Sequence, residues 1–302
     1  MLLIIFIYIT VLSFIVFSLV KVWKYATMPM HSRWELYPVP KEAGRGEYGG
    51  SYYEETLWWE KPRKTSLAGE LKEMLKEMLF IKNLFNNQRP LWWLSYALHL
   101  GIYFLGAWAI LLFLGAITEI AGLPVTTGSV VNSHWWAVLL HYLTLCTGAL
   151  GAVLVAFGSG SLFLKRVFDS SFKNYTSPQE YFNLLLIFSV VVTGILIWFG
   201  DPLFVLARER MRLILTFQGF EAGSLVILHV LLLGILLVYI PTSKMSHYVG
   251  KYFTYHKVLW ENEPNLPGSA IMQKVEETSA LKPSKTWSAP HYQSPDKKAQ
   301  SQ

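Results

Sequence analysis

The chain has 302 residues, of which 53% are apolar and only 15% charged, with a formal net charge of +6. The charges avoid long stretches, a membrane distribution rather than a globular one. The surplus of Lys and Arg therefore reads as a topology signal, not as a nucleic-acid footprint. Cys146 is the only cysteine, which excludes a disulfide framework, a C-x-x-C-H haem attachment and an iron–sulfur cluster held by this chain alone.

A spanning helix needs about 20 consecutive apolar residues at about 1.5 Å of rise each, and five segments qualify. The first, residues 1–20, carries no charge. No basic residue precedes its apolar run, and Ser-Leu-Val-Lys at its end is no small-x-small cleavage site, so an uncleaved anchor is expected. Residues 21–90 follow as a long connector. Its part from His31 to Trp59 is rich in Pro, Gly, Tyr and Trp and reads as irregular, packed structure. Residues 66–85 then place Leu67, Leu71, Met74, Leu75, Met78, Leu79, Ile81 and Leu84 at helical spacing, with Lys72, Glu73, Lys76, Glu77 and Lys82 on other faces. That pattern predicts an amphipathic helix at the membrane interface or against a partner. Pro90 stops it, and Trp92 and Trp93 form an interfacial belt.

The remaining spans are expected at 91–118, 134–156, 181–200 and 222–242. Residues 243–302 read as a docking tail. Tyr248–Trp260 is aromatic and basic and suits the membrane surface. From Glu261 the chain is Pro/Ser/Lys-rich and reads as an extended segment that orders only on a partner. Within it, Thr286-Trp-Ser-Ala-Pro-His-Tyr is an aromatic island fit to anchor in a partner's pocket. The expected fold is thus an all-α integral membrane bundle of five transmembrane helices. With the N-terminus outside, residues 21–90, 165–180 and 243–302 hold 12, 3 and 8 Lys/Arg, against three outside. The rule that basic residues stay on the cytoplasmic side then puts the C-terminus in the cytoplasm.

Ionisable groups inside a bilayer are costly, so each is a functional hypothesis. His99, His141, His229 and His247 lie in or at the ends of the spans. His229 and His247 are 18 residues apart, about five turns and about 27 Å of ideal helix, which places both on one face and one in each leaflet unless Pro241 kinks or ends the helix before His247. His99 is expected in the inner leaflet and His141 in the outer. The four sort by depth into His99/His247 and His141/His229, each pair joining two helices at one level, as a bundle presents axial nitrogens to a haem iron. His134, at the outer mouth of the third span, is an alternative to His141. Gly101, Gly106, Gly148, Gly151, Gly223 and Gly234 lie beside these candidates and would let a flat macrocycle approach the backbone. His31, His256 and His291 receive no cofactor.

The run His99-Leu100-Gly101-Ile102, with His229 and His247, resembles the gamma (cytochrome b) subunit of respiratory nitrate reductase. It is also similar to the membrane cytochromes of sulfite-reduction-associated and heterodisulfide-reductase-like complexes. The nitrate reductase pattern has a second histidine ten residues after the first, where this chain has Ala109, which moves it toward the sulfite-reduction-type branch. It also leaves open a single, inner haem.

The resemblance implies two non-covalent b haems in a multi-pass protein of the cell membrane. It implies electron exchange between menaquinone or a related quinone and a cytoplasmic iron–sulfur subunit of the heterodisulfide-reductase or nitrate reductase beta type. The chain would then be a quinol-oxidising or quinone-reducing subunit of a respiratory oxidoreductase. Glu221, His134 and Arg212 have the expected depth for a quinone site at the outer end, with Asp201, Arg208, Glu209 and Arg210 nearby. The competing class is a haem-free membrane anchor or transporter subunit whose histidines relay protons. No intramembrane chain of Asp, Glu or Lys supports that class.

Overall fold

A computed structural model describes residues 1–28, 67–125, 134–254 and 267–281. Among these there is helix but no strand. In chain order the helices are α1 (Leu2–Thr27), α2 (Leu67–Phe80), α3 (Lys82–Asn87), α4 (Arg89–Ile120), α5 (Trp135–Phe168), α6 (Ser170–Lys173), α7 (Pro178–Trp198), α8 (Val205–Leu215), α9 (Ser224–Thr242), α10 (His247–Phe253) and α11 (Ala270–Ala280). Five of them, α1, α4, α5, α7 and α9, are long and apolar enough to cross a membrane. Their outer faces keep large apolar side chains uncovered, Ile110 at 62% exposure among them. A surface of that kind suits lipid rather than water.

The chain divides into two compact units. One comprises Met1–Tyr25 with Leu71–Tyr252, the other Ala26–Glu70 with Phe253–Gln302. Within the first, α4 and α5 make the most extensive contact, and small residues explain it. A Cβ on Gly158 would lie 2.5 Å from the Leu98 backbone nitrogen, and one on Gly101 2.7 Å from that of Val155. Helices without side chains at the crossing approach closely enough for dispersion to hold them in lipid. Packing then passes from α5 to α7 and from α7 to α9, while α8 lies on α4. α1 joins α9 where Phe6 and Thr10 cover Gly234, and the Tyr8 hydroxyl donates to the Ile214 carbonyl at 2.7 Å. α4 and α9 make no extended contact of their own.

Local chemistry sets the helix ends. Pro178 opens α7 behind a Ser177/Glu180 capping box, which satisfies backbone donors on both sides. His134 caps α5, its Nδ1 accepting from Trp136 N at 3.2 Å. The Asp201 carboxylate accepts from Val205 N (2.8 Å) and Ala207 N (2.9 Å) and so starts α8.

Several expectations change. The spans are longer than their apolar cores: α1 runs to Thr27 and α5 to Phe168. The amphipathic segment is two helices, because Ile81 adopts a left-handed conformation (φ 51°) between them. Its facing also differs: Glu73, Met74 and Glu77 are buried, and Leu71, Leu75 and Leu79 are exposed. The carboxylates turn inward because they have cations to meet there. Glu73 takes Lys76 and Lys82, and Glu77 takes Lys251. Burial pushes the Glu73 carboxyl up, but the hydrogen bonds and charges of Lys76 and Lys82 outweigh it and hold it below the usual range. In the tail, residues 270–280 are helical rather than extended, started by Ser269, whose side chain accepts from Met272 N. The aromatic island at 286–292, His31, His256, His291 and the segment from His31 to Trp59 lie outside the described residues.

Candidate functional site

His99 of α4 and His247 of α10 face one another with ring centres 6.1 Å apart and planes inclined at 62°. His99 Nδ1 lies 2.7 Å from the Ser95 carbonyl oxygen, and His247 Nδ1 lies 3.3 Å from that of Lys244. A carbonyl only accepts, so both Nδ1 atoms carry the proton and both Nε2 atoms keep a free lone pair. This is how a metal-ligating imidazole is usually oriented, by its second nitrogen on a backbone oxygen. Two metal–nitrogen bonds of about 2 Å, plus about 1 Å from each nitrogen to its ring centre, separate axial imidazoles by about 6 Å. The observed ring-centre distance of 6.1 Å matches that separation. Among the described residues no three His, Cys, Asp or Glu side chains cluster to hold a bare ion. A macrocycle that brings its own equatorial nitrogens needs only the two.

The chain fixes this pair from several directions. Helix α9 ends at Thr242 just after Pro241, and a short 3-10 turn (Lys244–Ser246) leads into α10. His247 is therefore not on a straight continuation of α9. The one-face expectation for His229 and His247 does not hold, because the proline ends the helix before the phase reaches His247. α10 is instead held by Lys251 Nζ on Glu77 Oε1 at 3.0 Å and by Tyr248 Oη with Ser18 Oγ at 2.6 Å. α2, which carries Glu77, is tied to α4 by Trp92 Nε1 on the Phe80 carbonyl at 2.7 Å and by Tyr103 Oη on that of Met78 at 2.5 Å.

His229 sits near the opposite end of the bundle. Its Nδ1 donates to the Val190 carbonyl at 3.1 Å and lies 3.0 Å from Thr193 Oγ1, which itself donates to the Ser189 and Val190 carbonyls. Here too Nε2 is left with its lone pair. The ring lies against α7, where Gly194 makes room for it.

His141 is different. It is 4% exposed, its Nδ1 has no hydrogen-bond partner, and its ring lies near Tyr142 rather than near His229. Its charged neighbour is Arg208 of α8. Arg208 is 1% exposed and donates from Nε to Glu119 Oε1 at 2.7 Å. Of the two expected pairs, ring contact is thus seen for His99/His247 and not for His141/His229.

The residues expected at a quinone site do not converge. His134 is an exposed helix cap whose Nδ1 accepts a hydrogen bond from the Trp136 backbone N–H, the reverse of the role in His99 and His229. Arg212 lies in the last turn of α8, and Glu221 is exposed in the connection to α9. No contact joins the three among the described residues. The glycines mostly serve helix packing. Of the six expected beside the histidines, Gly101 and Gly151 meet α4–α5 neighbours, Gly148 is covered by Phe204 and Trp108, and Gly234 by Phe6, while Gly106 and Gly223 border open space.

Sequence reasoning missed Glu77, Ser95, Thr193, Gly194 and the Glu119–Arg208 pair. For Ser95 the signal was present, since it lies one helical turn before His99, where a carbonyl meets an imidazole. The others depend on contacts between distant segments. No protein-family model, no curated protein and no solved structure matches the chain.

Proposed function

We propose that this chain is the cytochrome b subunit of a respiratory redox complex in the cell membrane. In this reading it exchanges electrons between the quinone pool and a cytoplasmic iron–sulfur subunit, as its resemblance to the nitrate reductase gamma family implies. The observation that supports it is the opposition of His99 and His247, with both Nδ1 protons on carbonyls and both Nε2 atoms free. A b haem bound there would supply one-electron transfer. The chain's own part is placement. Ser95 and Lys244 set the imidazole tautomers, and Glu77 with Lys251 holds α10 against the bundle.

A second haem belongs at the level of His229. The N-terminus outside and the C-terminus in the cytoplasm follow from the Lys/Arg distribution.

The test is the absorbance of the purified protein on reduction. Wild type is expected to show b-type bands, and His99→Ala and His247→Ala each to lose the same share of them. The double variant should lose no more than either single one, because one ligand alone does not hold the site. A colourless wild type leaves only a haem-free anchor or proton-relay subunit. Haem counts on His141→Ala decide its role. Loss of one of two haems makes it the partner of His229, and retention of both frees its imidazole for another ligand.

A further inference from the structure

The end of the bundle that holds His141 contains buried donors with nothing to bind. Helix α5 runs antiparallel to α4, with Gly158 against Leu98, Gly151 against Leu105 and Gly148 against Trp108. The same register brings His141 level with Gly115. There the stem of Arg208 lies on α4, its Cδ 2.8 Å from where a Gly115 Cβ would be. Arg208 spends only Nε on Glu119; Nη1 and Nη2 have no acceptor, nor has His141 Nδ1 a partner. Further along α4, Trp108 Nε1 is also buried without an acceptor. Its ring meets Phe204 at 5.2 Å, and Phe204 in turn stacks on Trp198 at 6.0 Å. Burying such groups unmet costs about 1–3 kcal/mol each, more when charged. Four orphaned nitrogens on one stretch of the α4–α5–α8 contact therefore need an explanation.

The electrostatics narrow what fills the place. Glu119 already neutralises Arg208, so an anion would add an unpaired charge to an apolar region. What matches is a neutral molecule with oxygen lone pairs for the guanidinium and a flat body for the aromatic wall. We propose that Arg208 and His141, with Trp108 and Phe204 as the wall, bind the carbonyl-bearing head group of a membrane-soluble quinone. The ligand class rests on the electron-transfer reading above; the position rests on the orphaned donors. His141, with a free Nδ1, would donate from it to a quinone oxygen in one tautomer or accept a hydrogen bond there from a quinol hydroxyl in the other. It is then a ligand-binding residue and not a metal ligand.

The test uses the full-length protein in detergent, with a short-chain naphthoquinone titrated by calorimetry and haem absorbance read on the same samples. Wild type is expected to bind one equivalent. Arg208→Lys keeps the charge beside Glu119 but loses the two terminal nitrogens, and it should weaken binding at least tenfold. Trp108→Phe keeps the ring on Gly148 and removes only the indole donor, so it folds whether or not Arg208→Lys does. It should weaken binding several-fold. Unchanged haem absorbance in both variants completes the expected result.

Absence of naphthoquinone binding in wild type, or unaltered affinity in both variants, overturns the proposal and leaves the donors to solvent. Loss of haem absorbance in Arg208→Lys with affinity intact also overturns it, by giving the nitrogens to a haem carboxylate. A wild type that lacks haem yet binds naphthoquinone through these residues sinks the cytochrome reading and supports the site.

Discussion

Gly194 of α7 and His229 of α9 meet edge to ring: a Cβ on the glycine would lie 3.2 Å from the imidazole Cε1. The missing side chain is the space the ring occupies while its Nδ1 reaches the Val190 carbonyl. Gly194→Val adds bulk there and should cost about 1–3 kcal/mol by overpacking, with Gly194→Ala costing less. Thermal unfolding in detergent measures both. A valine variant as stable as wild type means the imidazole is not held in this position.

The α4–α5 crossing gives a pair of substitutions with opposite signs. Gly158→Ala places a methyl 2.5 Å from the Leu98 backbone nitrogen, and a helix backbone cannot swing aside as a side chain does. A loss of about 1–3 kcal/mol is expected. Gly106→Ala meets no atom within 4 Å, and replacing a mid-helix glycine by alanine there should gain about 0.5–1 kcal/mol. Melting temperatures that move in the same direction contradict the packing described.

Glu77 acts on the histidine pair through α10. Its carboxylate accepts from Asn83 N at 2.8 Å and from Lys251 Nζ at 3.0 Å. Lys251 is more than a third exposed, so solvent screens the ion pair and Glu77→Gln should cost on the order of 1 kcal/mol or less. Glu77→Ala loses both bonds and releases α10. If His99 and His247 hold a haem, Glu77→Ala should shift its midpoint potential while Glu77→Gln leaves it near wild type. Identical potentials in all three proteins remove Glu77 from any positioning role.

Asp169 provides a pH test outside the spans. Its carboxylate accepts from Ser171 Oγ at 2.5 Å, Lys165 Nζ at 2.9 Å and Ser171 N at 3.0 Å. These bonds, those of Ser171 first, hold its pKa down at about 2. A carboxyl depressed in the folded state contributes its stabilisation above the ordinary aspartate value of about 3.9. That contribution fades as the pH falls through the folded value. Carbon NMR of the Asp169 carboxyl should give a midpoint near 2; a midpoint at the ordinary aspartate value would show that the α6 cap does not form.

The five long helices were legible because length and apolarity alone decide a span. The His99/His247 level was legible too, since alternating helix direction fixes depth. The one-face phase of His229 and His247 was open at Pro241, and the helix does end there, so His229 turns to α7 and His247 to α4. Glu73 meets cations close in sequence, Lys76 and Lys82, whereas the inward facing of Glu77 was hidden because its reason, Lys251, comes 174 residues later. The same holds for Arg208, whose partner Glu119 is 89 residues earlier. Local pattern marks a charged residue as outward, and for Glu77 and Arg208 only a distant counter-ion reverses that.

Because α4 and α9 make no extended contact of their own, the meeting of His99 with His247 depends on the order of synthesis. The second imidazole emerges 247 − 99 = 148 residues after the first, roughly 7–30 s later at about 5–20 residues per second. Until the last span has entered the lipid, His99 has no counterpart, and a nascent chain offers any prospective cofactor one nitrogen instead of two. A cofactor that needed both nitrogens would therefore load late in biogenesis, after completion of the polypeptide past Thr242.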